Sequence, residues 1–165
     1  MKYIPTFILN NMHVCTMLLF IGVGIFLFAH CRRPNIQKRA RQARAIKSDT
    51  FLEQWNTYRQ SDRPGCYIIT IYKRRPNKRK VKRAIGYHEI YVGQSVNMYR
   101  RVFNHFTGHG NGDVYADVKY QRHVFVKFVP CAPEFLNQYE KTLIQHYQAT
   151  QSYNRTKGGA KLTNK

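Results

Sequence analysis

The pattern of apolar and polar positions changes along the chain and predicts three strands. Residues 67–72 and 88–92 are rich in β-branched and aromatic side chains, as strands are, and the second run stops at Gly93. Residues 123–129 form a third run of this kind, closed by Pro130. Three strands of one small sheet are therefore expected.

Apolar side chains at helical spacing predict two longer helices, at residues 95–106 and 134–149. Residues 107–113, which follow the first of these helices and precede the third strand, are rich in glycine and are expected to form a loop. The resulting order, ββαβα, predicts a small α/β domain with a mainly antiparallel three-stranded sheet flanked by helices.

A short helix is predicted before the first strand, from Ser48 to the residue before Pro64. Its start is suggested by Thr50 and Glu53, which have the spacing of a capping box. Three aromatic side chains then share one face of this helix: Phe51, Trp55 and Tyr58. Such a stripe favours core packing over a platform for stacked bases.

The N-terminal region holds a long apolar run. Residues 3–31 contain no charged side chain, and residues 12–31 have the length needed to cross a bilayer core. A membrane anchor is favoured over a cleaved signal peptide, because only Lys2 precedes the run and no small-residue cleavage site follows it. A buried core helix is the other alternative. If the run is cleaved, the protein is secreted or periplasmic instead.

Basic residues are in large excess and lie almost entirely beyond the apolar run. The chain has 28 Lys and Arg against 8 Asp and Glu, and only Lys2 of the bases lies before residue 32. An excess of this size repels itself, so it indicates a polyanionic partner, either nucleic acid or an anionic membrane surface. Seven bases and no acid in residues 32–47 predict a cytoplasmic flank by the positive-inside rule, hence a single-pass anchor with the following domain in the cytoplasm.

A second basic run, residues 73–83, connects the first two predicted strands. We expect it to project as a charged arm that binds phosphates nonspecifically. Its bases are Lys73, Arg74, Arg75, Lys78, Arg79, Lys80, Lys82 and Arg83. Arg100, in the helix after the second strand, is expected to add to this binding.

The four cysteines form no CxxC motif and show no paired ligand spacing. Neither a disulfide framework nor a zinc site is indicated, which favours a reducing compartment.

Glu140 stands out in the last helix. It is spaced by four, three, four and seven residues from Leu136, Leu143, Ile144 and Tyr147, which places it within an apolar stripe. A carboxylate in such a stripe needs a partner, because burying an unpaired charge costs several kcal/mol or more. A buried ion pair with an arginine and a hard divalent cation such as Mg²⁺ are the two alternatives.

A second cluster lies where the second strand ends and the next helix begins. Arg101 and His105 are four residues apart and share a helical face, as in a clamp for a phosphate group. Gly93, at the turn into this helix, would let a backbone approach closely.

These residues resemble the motifs of the GIY-YIG nuclease family over residues 64–159. Gly65-Cys66-Tyr67 stands in place of the first tripeptide and Tyr91-Val92-Gly93 in place of the second. The remaining matches to the family are Arg101, His105, Glu140 and Asn154. Cys66 departs from the usual isoleucine, and the 24 residues from Tyr67 to Tyr91 exceed the usual spacing because of the basic arm.

The resemblance implies a three-stranded antiparallel sheet flanked by helices and one divalent cation per site, Mg²⁺ or Mn²⁺, held by Glu140. Tyr67 would take the proton of an attacking water or orient that water, and Arg101 would stabilise charge on the phosphate. His105 and Tyr91 would assist, and Asn154 would position the second tyrosine or the backbone near it.

The sequence thus predicts a metal-dependent endonuclease that hydrolyses DNA and is tethered to a membrane. Its parts are an anchor (1–31), a basic linker with a short helix (32–63), a nuclease domain (64–159) and a basic tail (160–165). Residues 48–165 alone are expected to cleave DNA. A tethered nucleic-acid-binding protein without catalysis and a protein that grips anionic lipid are the alternatives. RNA as substrate, base specificity and oligomeric state stay open.

Overall fold

A four-stranded antiparallel sheet forms the centre of residues 35–154, the part of the chain that the computed structural model describes. These residues all lie in one compact unit. The spatial order of the strands is β1-β4-β2-β3. Their bounds are β1 Ala45–Lys47, β2 Gly65–Tyr72, β3 Glu89–Ser95 and β4 His123–Pro130.

Helices cover both faces of this sheet. The α-helices are α1 Ile36–Gln42, α2 Ser48–Glu53, α3 Trp55–Gln60, α4 Lys78–Arg83, α5 Met98–Phe106, α6 Gly112–Lys119 and α7 Leu136–His146. Two 3₁₀ turns flank α7, at Pro133–Phe135 and Ala149–Gln151. The predicted α/β fold with an antiparallel sheet flanked by helices is confirmed.

Strand β2 separates two hydrophobic cores, because successive side chains of a strand point to opposite faces. All eight residues of β2 are buried. Cys66 and Ile68 pack in the core that contains Leu143 of α7. Tyr67 and Ile69 pack in the opposite core, against α5. Tyr67 is therefore held on the α5 face of the sheet.

The prediction of three strands is wrong by one, because β1 forms a fourth strand at the edge beside β4. Residues 35–47, predicted as part of a basic linker, fold as α1 and β1, with Ile36 and Ala40 buried. Buried Lys127 of β4 helps to hold α1 against the sheet. Its ammonium donates hydrogen bonds to the main-chain oxygens of Ala40 at 3.1 Å and Lys82 at 2.5 Å. Because residues 35–47 were interpreted by their charge, the prediction missed three strand residues and two core residues in them.

Other element boundaries also differ from prediction. The helix predicted from Ser48 is divided at Gln54 into α2 and α3. The predicted capping box is wrong, because the residue that precedes α2 is Lys47, not Thr50, and its side chain makes no capping hydrogen bond. The aromatic stripe does pack in the core, where the rings of Phe51 and Tyr58 lie 4.9 Å apart. Gly112 begins a helix, α6, in the segment predicted as a loop.

The predicted membrane segment, residues 12–31, lies outside the described residues. Within residues 35–154, no helix has both the length and the apolar character needed to cross a membrane.

Candidate active site

The pairing of β2 with β3 sets the two tyrosines of the site side by side. Tyr67 lies opposite Gly93, and Tyr91 lies opposite Ile69. The Tyr67 and Tyr91 ring centroids are 6.3 Å apart. Gly93 is required here, because a Cβ at this position would lie 2.5 Å from Cζ of Tyr67. The missing side chain of Gly93 thus makes the space that the Tyr67 ring occupies.

His105 is buried against Tyr67, and both of its ring nitrogens take part in hydrogen bonds. The Tyr67 hydroxyl oxygen lies 2.9 Å from Nε2, and the main-chain N–H of Asn111 donates to Nδ1 at 2.7 Å. Nδ1 is therefore an acceptor without a proton. Burial, and then the positive charge of Arg101, lower the pKa of His105 from 6.5 to about 4. A neutral imidazole with Nδ1 unprotonated carries its proton on Nε2, so His105 donates to the oxygen of Tyr67.

The loop that follows α5 holds His105 in this state. Gly110 passes so close that a Cβ there would lie 2.9 Å from Cα of His105. Arg101, four residues earlier, is exposed. Of the pair predicted to clamp a phosphate, His105 has hydrogen-bond partners on both ring nitrogens, and Arg101 is the one that faces solvent.

Asp62 holds the first turn of α5, the helix that carries Arg101 and His105. Its carboxylate accepts hydrogen bonds from the main-chain N–H groups of Tyr99 at 2.9 Å and Arg100 at 3.1 Å. Asn97, the residue in the capping position, makes no side-chain capping bond. Asp62 therefore does the work of a cap from outside the helix, and its negative charge suits a helix N-terminus.

The charged groups of the site lie close enough to act on one another. Burial first, and then Tyr91, raise the pKa of Tyr67 well above its usual range, while Arg101 opposes the rise. Burial also raises the pKa of Tyr91, against the effect of Arg101 and with that of Glu140. Both tyrosines are neutral phenols at pH 7. The structure thus brings Tyr67, Tyr91, Arg101, His105 and Glu140 together at one end of the β2–β3 pair.

Glu140 is half-buried on α7 and has an amide neighbour from β3. The side-chain N–H of Gln94 donates to Oε2 of Glu140 at 3.5 Å and to Oδ1 of Asn137 at 2.5 Å. Gly93 and Gln94 are consecutive residues of β3, which continues to Ser95, so the predicted strand end and turn at Gly93 are wrong. The strand that makes space for Tyr67 therefore also places an amide beside the carboxylate.

This donor set fits a hard divalent cation. In the described part of the chain, no group of three or more His, Cys, Asp or Glu side chains could hold a metal ion. A zinc site made of four protein ligands is therefore not present there. Mg²⁺ needs only one or two carboxylates, together with water and phosphate oxygens, and Glu140 can supply one of them.

Asn154 reaches the site through the backbone of β3. Its side-chain N–H donates to the Val92 carbonyl at 2.6 Å, and its Oδ1 accepts from the Val92 N–H at 2.8 Å. The neighbouring Tyr153 donates its hydroxyl to the carboxylate of buried Asp117 at 2.7 Å. Asn154 thus holds the residue between Tyr91 and Gly93, as a strand partner would.

The basic arm lies at the other end of the same two strands. It leaves β2 at Tyr72, five residues beyond Tyr67, and its second half is the helix α4, which begins with a bond from the N–H of Lys80 to the side chain of Asn77. Arg100 is exposed on α5 next to Arg101. The arm therefore does not belong to the cluster around Tyr67, whereas Arg100 borders it.

Three supporting residues had no prediction from the sequence: Asp62, Gln94 and Asn111. Asp62 and Asn111 act on or through main-chain N–H groups, for which residue type gives no signal. The position of Gln94 directly after Gly93, and the glycine-rich stretch around Asn111, are the only signals that mark them. Cys66, which replaces the family's isoleucine, is fully buried in the core that contains Leu143 of α7, where it packs as a small hydrophobe.

The comparison with known families agrees with this geometry. A family model described as the GIY-YIG catalytic domain matches residues 63–154, which is more than half of the 165 residues. No curated protein and no solved structure matches the chain. The match begins just before β2 and ends on Asn154, so it spans every residue of the cluster. The chain therefore belongs to the GIY-YIG family, whose catalytic domain is that of nucleases acting on nucleic acid.

Proposed function

We propose that this protein is a metal-dependent endonuclease that hydrolyses phosphodiester bonds in DNA and is held at a membrane by residues 12–31. The observation that carries the catalytic half is the convergence of Tyr67, Arg101 and Glu140 at one end of the β2–β3 pair, in a chain of this family. A divalent cation bound at Glu140 would supply a Lewis acid for the phosphate oxygens.

Tyr67 orients the attacking water in this scheme and does not remove its proton. The Nε2–H of His105 donates to the Tyr67 oxygen, which leaves the hydroxyl proton of Tyr67 for another acceptor. Burial raises the pKa of Tyr67, so the phenolate needed for a general base is disfavoured. A neutral tyrosine held by His105 can still donate to a water or to a phosphate oxygen at a fixed position.

Arg101 acts on the phosphate. Its guanidinium is exposed on α5, on the same side as Tyr67 and Tyr91, where its charge opposes their raised pKa values. A planar cation with several donors suits the negative charge that grows on phosphate oxygens during hydrolysis.

The test is cleavage of supercoiled plasmid DNA by the full-length chain with Mg²⁺ or with a chelator. Glu140→Gln should abolish cleavage, and Arg101→Ala should lower it on the order of a hundredfold, as for other groups that stabilise transition-state charge. Glu134→Gln and Arg59→Ala are the matched controls, because both residues are exposed and lie outside the cluster. Cleavage that survives Glu140→Gln would refute the catalytic proposal. Binding without cleavage by the wild type would favour the inactive alternative.

The anchor is supported by the uncharged run of residues 3–31 and the seven bases in residues 32–47. A single-pass protein with its nuclease domain in the cytoplasm should stay in the membrane fraction of lysed cells after washing with alkaline carbonate, at its full mass. Release into the soluble fraction, or a mass lower by the apolar segment, would contradict the anchor and point to a cleaved signal peptide.

A further inference from the structure

A basic cavity of about 1030 Å³ lies beside the C-terminal ends of α1, α4 and α7, apart from the catalytic cluster. Its basic side chains come from α1 and α4: Arg41, Lys78, Arg79, Lys82 and Arg83. None of the described residues that line it is acidic. Tyr87 and Tyr147 add aromatic surface to the wall.

Tyr147 contributes only part of its ring to the cavity wall. The residue is 7% exposed, and its hydroxyl, the one buried side-chain N or O atom in residues 35–154 that lacks a hydrogen-bond partner, lies inside the fold and not at the cavity surface. The hydroxyl of Tyr87 donates to the main-chain oxygen of Tyr147 at 2.8 Å, which fixes the Tyr87 ring at the wall.

The helix dipoles of α1 and α4 do not account for the basic side chains around the cavity. Cations near a helix C-terminus are favourable because of the helix dipole. Here that need is already met from inside, because Lys127 donates to the carbonyls of Ala40 and Arg41 in α1 and of Lys82 in α4. The five cations around the cavity therefore repel one another across it, which an anionic ligand would relieve.

The cavity lies within reach of the catalytic cluster along α7. Glu140 and Tyr147 are seven residues apart, which places them on one side of the helix about 10 Å apart along its axis. A nucleic-acid strand that passes Glu140 can therefore also reach Tyr147.

We propose that this cavity binds a nucleotide of the substrate strand some distance along the strand from the scissile phosphate, so the inference rests on the proposed nuclease function. The bases of α1 and α4 contact phosphate oxygens, and the Tyr87 ring contacts the sugar or the base. Cationic side chains combined with an aromatic surface are the usual means of holding single strands. The second half of the basic arm is thus one wall of a defined site, while Lys73, Arg74 and Arg75 lie outside this cavity.

The first experiment measures binding of a fluorescein-labelled single-stranded DNA oligonucleotide to the full-length chain in uncharged detergent and a chelator, over a series of salt concentrations. The double variant Arg79→Ser/Arg83→Ser should bind on the order of tenfold more weakly, and the slope of log K against log salt should fall by about 1.4. Arg59→Ser/Lys119→Ser removes the same charge from exposed sites on α3 and α6 and should bind as the wild type. Equal weakening in both double variants would overturn the proposal.

The second experiment removes the aromatic wall. Tyr87→Leu should weaken oligonucleotide binding about fivefold and leave the salt slope unchanged, because the ring offers stacking surface and carries no charge. Tyr87→Phe keeps the ring, loses only the bond to the Tyr147 carbonyl and should bind as the wild type. Wild-type binding by Tyr87→Leu, or equal weakening in both variants, would overturn the proposal.

Two further measurements separate this inference from its rivals. If the wild type cleaves DNA and every cavity variant binds the oligonucleotide as the wild type does, the cavity proposal is overturned and the nuclease function stands. Binding that depends on the cavity in a chain that cuts no DNA would support the cavity while the nuclease function fails. If the cavity variants lose binding to phosphatidylcholine–phosphatidylserine vesicles but keep oligonucleotide binding, the cavity is a lipid site and the proposal is overturned.

Discussion

His105 is a small example of how position sets the chemistry of a residue. The imidazole has a neighbour on each ring nitrogen, an N–H from Asn111 and the hydroxyl of Tyr67. It can neither take up a proton easily nor bind a phosphate. What it can do is hold the oxygen of Tyr67, which makes it a positioning residue in the proposed reaction.

The same burial predicts a pH dependence of stability. Burial lowers the pKa of His105 to about 4 in the folded chain, and an exposed imidazole, as in an unfolded chain, has an ordinary pKa of about 6.5. Between these values the unfolded chain binds a proton that the folded chain does not. The stability linked to neutral His105 is therefore fully present above pH 6.5 and is lost as the pH falls towards 4, by about 3 kcal/mol. Chemical unfolding at a series of pH values measures this loss.

His105→Gln should remove that part of the pH dependence and also lower the stability at pH 7. His109→Gln is the matched control, since His109 is exposed on the loop after α5. If His105→Gln and the wild type lost stability in parallel between pH 6.5 and 4, the proton uptake would belong to another group.

Single residues were predictable where the family motif names them. Tyr67, Tyr91, Arg101, Glu140 and Asn154 all lie in or against the cluster that the motif implies. The partners that hold them were not predictable, because Asp62 and Asn111 act on or through backbone groups of neighbouring segments. Such bonds depend on the path of the chain and leave almost no trace in residue type.

At the scale of elements, α5 depends on a residue that lies before β2. Asp62 accepts from two main-chain N–H groups of the first turn and so links the start of α5 to the segment that enters β2. Asp62→Asn keeps the shape but removes the charge, and should cost about 1 kcal/mol of stability. The rate of plasmid cleavage should fall by a larger factor than this loss of stability explains, because α5 carries both Arg101 and His105.

Comparing plasmid cleavage at a temperature where both chains are folded tests this. Asp49→Asn is the control, because Asp49 is exposed at the start of α2 and pairs with Lys47. A drop in unfolding temperature with wild-type kcat would restrict Asp62 to a structural role.

The segment before residue 48 gives the second prediction at this scale. A chain starting at residue 48 loses α1 and β1, including buried Ile36 and Ala40, and deprives Lys127 of the carbonyls of Ala40 and Arg41. Burial of one isoleucine is worth about 1.5–3 kcal/mol, and β4 also loses its edge partner, so the loss is a large part of a domain stability of about 5–15 kcal/mol. Residues 48–165 should therefore be largely unfolded, contrary to the expectation from sequence, while residues 35–165 fold.

Circular dichroism of the two fragments provides the measurement. Two fragments that melt at the same temperature would show that α1 and β1 add nothing to the fold.

Periodicity predicted the elements with long runs of one pattern, such as β2, β4 and α7. It missed β1, because the three residues of this strand lie within the basic residues 32–47, whose charge is their most prominent feature. It missed α6, because that helix begins at a glycine. Both were placed by contacts with β4 or α5 that a local pattern does not contain.

For the whole molecule, the charge excess is divided between two places with different surroundings. Arg100 and Arg101 border the tyrosines and Glu140, whereas the bases of α1 and α4 surround the cavity at the other end of α7. The carboxylates are used within the fold, with Asp62 at α5 and Asp117 bound to Tyr153 and Arg122. Few negative groups remain to compete with a polyanion.

The bonds between Asn154 and Val92 have a consequence for how the chain behaves in a crowded solution. Strand β3 is at the edge of the sheet, where unpaired backbone groups invite another chain to add a strand. Residues 152–154 occupy those groups, with Ser152 accepting from the Ile90 N–H, Tyr153 donating to the Ile90 carbonyl, and Asn154 bound to Val92. The segment that holds the second tyrosine in place also shields the edge strand β3 from edge-to-edge aggregation.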